Sequence, residues 1–79
     1  MKKGYLRSNK YGRYELIDEE GNCLTYFTSG DPIDIYDETL EEWLQGRVEY
    51  DDNYGGYYFY NINGRHRSIW DGVLARMVE

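Results

Sequence analysis

The stretch Glu42-Trp43-Leu44-Gln45-Gly46-Arg47-Val48-Glu49-Tyr50, followed after a short loop by Tyr57-Tyr58-Phe59-Tyr60-Asn61-Ile62, decides the fold. In the first half Leu44, Val48 and Tyr50 alternate with Trp43, Gln45, Arg47 and Glu49. Period-two alternation is the mark of a strand with one face in the core. The second half is aromatic on both faces, which suits a strand packed on both sides or one that shows tyrosines to a partner. Between them, Asp51-Asp52-Asn53-Tyr54-Gly55-Gly56 carries the residues that turn a chain. The two halves therefore read as a hairpin. A two-residue turn at Gly55-Gly56 and a six-residue loop over 51–56 both pair residues in the same register parity. That parity sets Leu44, Val48 and Tyr50 beside Tyr57 and Phe59, and Trp43, Gln45, Arg47 and Glu49 beside Tyr58, Tyr60 and Ile62. A bulge at Gly46 would reverse it.

Working outward, turn signals recur along the whole chain. They are Asn9-Lys10-Tyr11-Gly12, Glu20-Gly21-Asn22, Ser29-Gly30-Asp31-Pro32, Asn63-Gly64 and Asp71-Gly72. Short stretches rich in Tyr, Ile, Val, Leu and Thr separate them, the pattern of an all-β domain built from hairpins. Strands are expected over 3–8, 12–18, 22–28, 33–36, 42–50, 57–62 and 73–78. Ile33 and Ile35 face one way, Asp34 and Tyr36 the other. Val73, Ala75 and Met77 oppose Arg76. A small sheet of this kind must close or fold over to hide its edges. The expected architecture is a small SH3-like antiparallel barrel of five to seven short strands. Thr39-Leu40-Glu41-Glu42 fits a capping box and leaves room for one helical turn near 38–42. Ile69, Val73 and Met77 also have helical spacing, but Gly72 would sit inside that helix, and a turn with a closing strand is preferred.

Seventy-nine residues make one domain, read as 1–79. A chain of this length buries roughly 60–65% of its unfolded surface, so its core is thin. High charge and low hydropathy lean towards disorder, whereas ten tyrosines, two tryptophans and two phenylalanines argue for a folded core. Cys23 stands alone, so no internal disulfide staples the domain, and it is read as a small strand residue. No apolar run approaches a membrane span, and no signal-peptide segment follows the basic start. A cytoplasmic protein with no membrane partner is expected.

Charge is sorted along the chain. Between Asp18 and Asp52 lie twelve acids and one base, Arg47. Residues 1–17 hold Lys2, Lys3, Arg7, Lys10 and Arg13 against Glu15, and the net charge is −6. Such polarity shapes the choice of partner. It also disfavours sequence-independent nucleic-acid binding, where phosphate neutralisation supplies most of the affinity.

The inventory for catalysis is thin. His66, the single histidine, follows the Asn63-Gly64 turn and reads as a solvent-exposed turn residue. Gly55-Gly56 lacks the lysine and helix of a phosphate loop. Two acid-rich turns, Asp18–Asn22 and Asp51–Asn53, lack the alternation of a calcium loop. A barrel of this size rarely encloses the cleft that paired-carboxylate hydrolysis needs. No enzyme activity, catalytic residue, cofactor or metal is expected.

The sequence resembles a family of small uncharacterised proteins of Gram-positive bacteria and their mobile elements, defined as a domain of unknown function. The resemblance rests on Gly4-Tyr5-Leu6, Gly12-Arg13-Tyr14-Glu15-Leu16, Ser29-Gly30-Asp31, Trp43 with Gly46-Arg47-Val48-Glu49-Tyr50, Gly56-Tyr57-Tyr58-Phe59 and Asp71-Gly72-Val73-Leu74-Ala75-Arg76. These short motifs cover most of the chain. The resemblance implies an SH3-like barrel in the bacterial cytoplasm and carries over no catalytic residue.

The leading functional expectation is a non-enzymatic module that binds another protein. Its face would comprise Trp43, Arg47, Tyr58 and Tyr60, rimmed by Asp34, Glu49, Asp51 and Asp52. Trp, Tyr and Arg are the residues enriched at interface hot spots, and Arg47 is placed to stack on Tyr58 or Tyr60. Two alternatives belong to other classes. Acids at strand spacing would let the chain mimic a nucleic acid and block a DNA-binding protein. Tyr57–Tyr60, with Lys2, Lys3, Arg7 and Arg65, would let it bind single-stranded nucleic acid weakly.

Overall fold

A computed structural model describes residues 2–78. Met1 and Glu79, the ends of the expected 1–79 domain, lie outside the described residues. The described residues form eight strands: β1 (Lys3–Ser8), β2 (Tyr14–Ile17), β3 (Cys23–Phe27), β4 (Pro32–Asp37), β5 (Glu42–Asp51), β6 (Gly56–Tyr60), β7 (Arg67–Ser68) and β8 (Leu74–Met77). A single 3-10 turn spans Asp52–Tyr54. All strands join one antiparallel sheet in the order β3-β2-β1-β8-β4-β5-β6-β7. The all-β expectation holds, with eight strands in place of five to seven. The strand that sequence reading passes over is β7, which is two residues long and too short to show a period.

The turns explain much of the acid and amide content. Asn9 accepts from the N–H groups of Tyr11 and Arg13, and Asp18 from those of Glu20 and Asn22. Asp31 accepts from Thr28 N–H, Asp51 from Asn53 N–H and Asn61 from Asn63 N–H. Each side chain does locally what a backbone carbonyl would do in a tight turn. Asp37 does the same for Leu40 N–H across the β4–β5 connection. This corrects the helical turn expected near 38–42. Asp37 pairs with Glu42 across the ladder, only Glu38–Glu41 remain to reverse the chain, and Glu41 takes the left-handed conformation at φ 54°. The cap is therefore Asp37, not Thr39, and no helix has room to begin. The helical spacing of Ile69, Val73 and Met77 is likewise resolved as a turn and strand, because β8 pairs with both β1 and β4.

One core gathers side chains from both parts of the sheet. Leu6, Leu16 and Phe27 come from the β1–β3 part, and Ile33, Ile35, Leu44, Val48 and Phe59 from the β4–β6 part. Ala75 of the shared central strand β8 and Ile69 complete it. The hairpin register follows the expected parity: Arg47 pairs with Tyr60, Val48 with Phe59, Glu49 with Tyr58 and Tyr50 with Tyr57. Tyr50 departs from the core reading, since it lies beyond the core and is exposed. No bulge interrupts β5 at Gly46. The glycine is there for space: a Cβ at that position would stand 2.6 Å from the Phe59 ring and collide with the Tyr60 carbonyl. β5 pairs with β4 through Arg47 and with β6 from Arg47 onward. The glycine thus lies where the strand changes partners.

Candidate partner-binding face

The side of β5 away from the core carries Trp43, Gln45, Arg47 and Glu49. Its two ends are built differently.

At the Trp43 end, the outward neighbours are Tyr36 and Asp34 of β4 and Arg76 of β8, set side by side by the ladders. Arg76 lies across this patch. Its Nε donates to Asp34 Oδ2 at 2.9 Å, and its guanidinium carbon stands 4.2 Å from the centre of the Trp43 ring. Tyr36 meets the same ring edge-on at 5.4 Å. Asp34 is only 4% exposed. Sequence alternation places it at a solvated rim; the structure buries it. It sits on a central strand between β8 and β5, so neighbours cover it from both sides, and Arg76 supplies the partner that a covered acid needs.

At the Arg47 end the side chains form a column. The Arg47 guanidinium carbon lies 4.2 Å from the centre of the Tyr60 ring. Tyr60 stacks on His66 at 4.3 Å, and His66 meets Tyr58 edge-on at 6.2 Å. Tyr58 stacks on Tyr54 at 4.1 Å with the planes 7° apart. Arg47 Nε also donates to Glu49 Oε2 at 2.6 Å, while Ser29 Oγ donates to Glu49 Oε1 at 2.8 Å. The Ser29 and Arg47 bonds hold the Glu49 carboxyl below the usual carboxylate range. The bond to Glu49 raises Arg47 in turn. Burial, then the charge of Asp51, pushes the Tyr58 phenol up.

His66 corrects the reading of a free turn histidine. It is half-buried, and its Nδ1 accepts from Asn61 N–H at 3.1 Å. Asn61 is buried, donating its side-chain amide to the Gln45 carbonyl at 2.8 Å. The Asn63-Gly64 motif does not find His66, since a two-residue turn there would set it opposite Asn61. β7 pairs Tyr58 with Ser68 and Phe59 with Arg67, and one further step of that register sets His66 opposite Tyr60. Tyr54 is the other addition, brought onto Tyr58 by the 3-10 turn that Asp51 caps.

Of the eight residues expected to form the face, the structure therefore brings Arg47, Glu49, Tyr58 and Tyr60 together. Trp43 and Asp34 form the second cluster. Asp51 and Asp52 belong to the β5–β6 turn, Asp51 as a cap and Asp52 as the acid that raises the Tyr50 phenol. Gln45 and Ile62 bridge the two clusters. Both line a concavity of about 530 Å³ with Trp43, Glu42 and Arg65, and another of about 340 Å³ with Pro32, Arg47 and Tyr60. Ile62 is 84% exposed, at the rim of both. Among the described residues, no three His, Cys, Asp or Glu side chains gather as metal ligands would. No helix among them is long and apolar enough to cross a membrane.

No curated protein and no solved structure matches the chain. The model of the family described as Domain of unknown function (DUF5348) matches residues 4–77, nearly the whole of the fold just described, and the chain belongs to that family.

Proposed function

We propose that the protein is a non-enzymatic interaction module whose partner is another protein. The observation that carries this reading is the column Arg47–Tyr60–His66–Tyr58–Tyr54, with exposed Ile62 beside it. Its rings are held in place before any partner arrives, so little side-chain entropy is lost on docking. Tyr and Arg present large contact area with a polar tip, the chemistry of interface hot spots. Trp43, reached through Gln45 and Ile62, extends the same strip. An SH3-like barrel belongs with this proposal. One core draws on both ends of the strand order, and β5 changes partner midway, which supports a sheet folded over on itself. The cytoplasm of a Gram-positive bacterium or of a host of its mobile elements is the setting proposed with it.

The nucleic-acid-mimic reading draws less support from the acids. Asp18, Asp31, Asp37 and Asp51 cap turns, and Asp34 and Glu49 pair with arginines. Half of the twelve acids between Asp18 and Asp52 are thus engaged within the fold, which breaks any continuous row of phosphate-like charges. Single-stranded nucleic-acid binding draws less again, because Arg7 pairs with Glu15 and Arg65 lies near Glu42.

The test is affinity capture from the native host with the wild-type chain, Trp43→Ala and Tyr60→Ala, at low and high salt. Partners lost from Tyr60→Ala and retained at high salt are expected. Partners that survive both substitutions would sink the aromatic strip as the contact. Binding that collapses with salt alone would favour the mimic.

A further inference from the structure

Five of the ten tyrosines line one cup. Tyr11, Tyr14, Tyr50, Tyr54 and Tyr57 surround a volume of about 300 Å³, with Gly12, Gly55, Gly56 and Ile69 as the other walls. They arrive from three places: the β1–β2 loop, the start of β2, and the β5–β6 hairpin with its turn. Strand propensity explains Tyr14, Tyr50 and Tyr57. It does not explain Tyr11, which lies in a turn and is 75% exposed. Two of the walls are fixed. The Tyr14 hydroxyl donates to the Ile69 carbonyl at 3.0 Å, and Tyr50 meets Tyr57 edge-on at 5.1 Å.

No charged side chain lines the cup. Carboxylates stand just outside it. Asp52 raises the Tyr50 phenol, and Asp71 adds to the effect of burial in raising Tyr14. The cup thus combines aromatic walls with two carboxylates nearby, and both attract a cation. The chain's own Lys10 ammonium already stands 5.1 Å from the centre of the Tyr11 ring.

We propose that this cup binds a quaternary or methylated ammonium head group. A bare ammonium would have to shed tightly held water and bring three N–H donors into a site whose lining offers no carboxylate. A trimethylated nitrogen has no donors to satisfy, is weakly hydrated, and presents methyl groups to ring faces. The volume, at the lower end of ligand pockets, suits such a head group without demanding a large body behind it. This site is separate from the protein-binding strip, sharing only Tyr54 with it.

The experiment is a titration of the full chain followed by the tyrosine ring proton resonances. The probes are choline, a trimethyllysine peptide, and 3,3-dimethylbutan-1-ol, the uncharged carbon analogue of choline. Saturable shifts at Tyr11, Tyr50 and Tyr57 are expected from the two cations, at least about tenfold weaker from the alcohol. The tighter of the two cations identifies whether the head group comes on a small molecule or a protein. Tyr11→Ala and Tyr50→Ala, both at exposed positions outside the strip, should each weaken choline about three- to fivefold. The amide spectrum of each variant checks that the fold persists. No saturation by either cation, equal binding of the alcohol, or choline binding unchanged in both variants would overturn the proposal.

Discussion

The two ends of β5 carry the same kinds of residue on the same side of the sheet and use them differently. At one end an arginine, an acid and aromatic rings are closed over: Arg76 covers Asp34 and rests on Trp43. At the other the same ingredients are open: Arg47 holds Glu49 and rests on Tyr60, with nearly half of its side chain in water. The first sits over central strands and the second over the edge formed by β6 and β7. Position in the sheet, not residue type, decides which cluster is covered and which is left open to solvent.

The boundary between them is the most sensitive point. Gly46→Ala drives a methyl group into the Phe59 ring and the Tyr60 carbonyl, and is expected to cost about 3 kcal/mol in denaturant unfolding. It should disturb both clusters at once. A neutral result would mean that the strand need not hold its course there.

Next comes the contrast between the acids. Asp34→Ala leaves Arg76 over a covered site with its partner gone. Since Arg76 keeps some exposure, a loss of about 2 kcal/mol is expected, below the roughly 3–5 for a fully buried pair. Glu49→Ala should cost under about 1 kcal/mol, because its pair is solvated. Equal costs in parallel chemical denaturation would erase the distinction between a covered and an open cluster.

His66→Phe sharpens the open end. The ring can still stack, but Asn61 N–H loses its acceptor, and a loss of about 1 kcal/mol is expected. If His66→Phe is neutral while His66→Ala is not, stacking alone holds the column.

The smallest effect concerns pH. Glu49 and Asp18 have carboxyls lowered on folding, Glu49 by Ser29 and Arg47, Asp18 by the backbone N–H of Asn22 above all. Groups lowered in the folded state contribute fully above their ordinary values of 4.5 and 3.8, and that contribution is lost as pH falls through the lowered ones. Thermal melts should therefore drop on the acid side of about pH 4.5, with a shallower drop in Glu49→Gln. An unchanged slope would show that the Ser29–Glu49–Arg47 contact adds nothing to folding.

Much of this was legible in the chain. Alternation over 43–50, the Gly-rich turn and the aromatic run together specified the hairpin and its parity, because side-chain direction in a strand depends only on residue count. That parity put Arg47 on the face of Tyr58 and Tyr60, and the observed register chose Tyr60. Turn residues marked the strand ends, since Asn, Asp and Gly act over three or four positions. Burial across strands did not follow. Asp34 and Glu49 occupy equivalent places in an alternating pattern, and what separates them is the neighbour that β8 supplies, Arg76, 42 residues on from Asp34. His66 joined the column through a two-residue strand too short for any periodic signal. The convergence of Tyr11 and Tyr14 with Tyr50, Tyr54 and Tyr57 depended on loops from different ends of the sheet order. Local pattern, then, determined the strands, turns and hairpin register, because these are short-range matters of backbone and alternation. The tertiary structure decided which charges are covered and which rings gather, because those depend on what the sheet sets beside them.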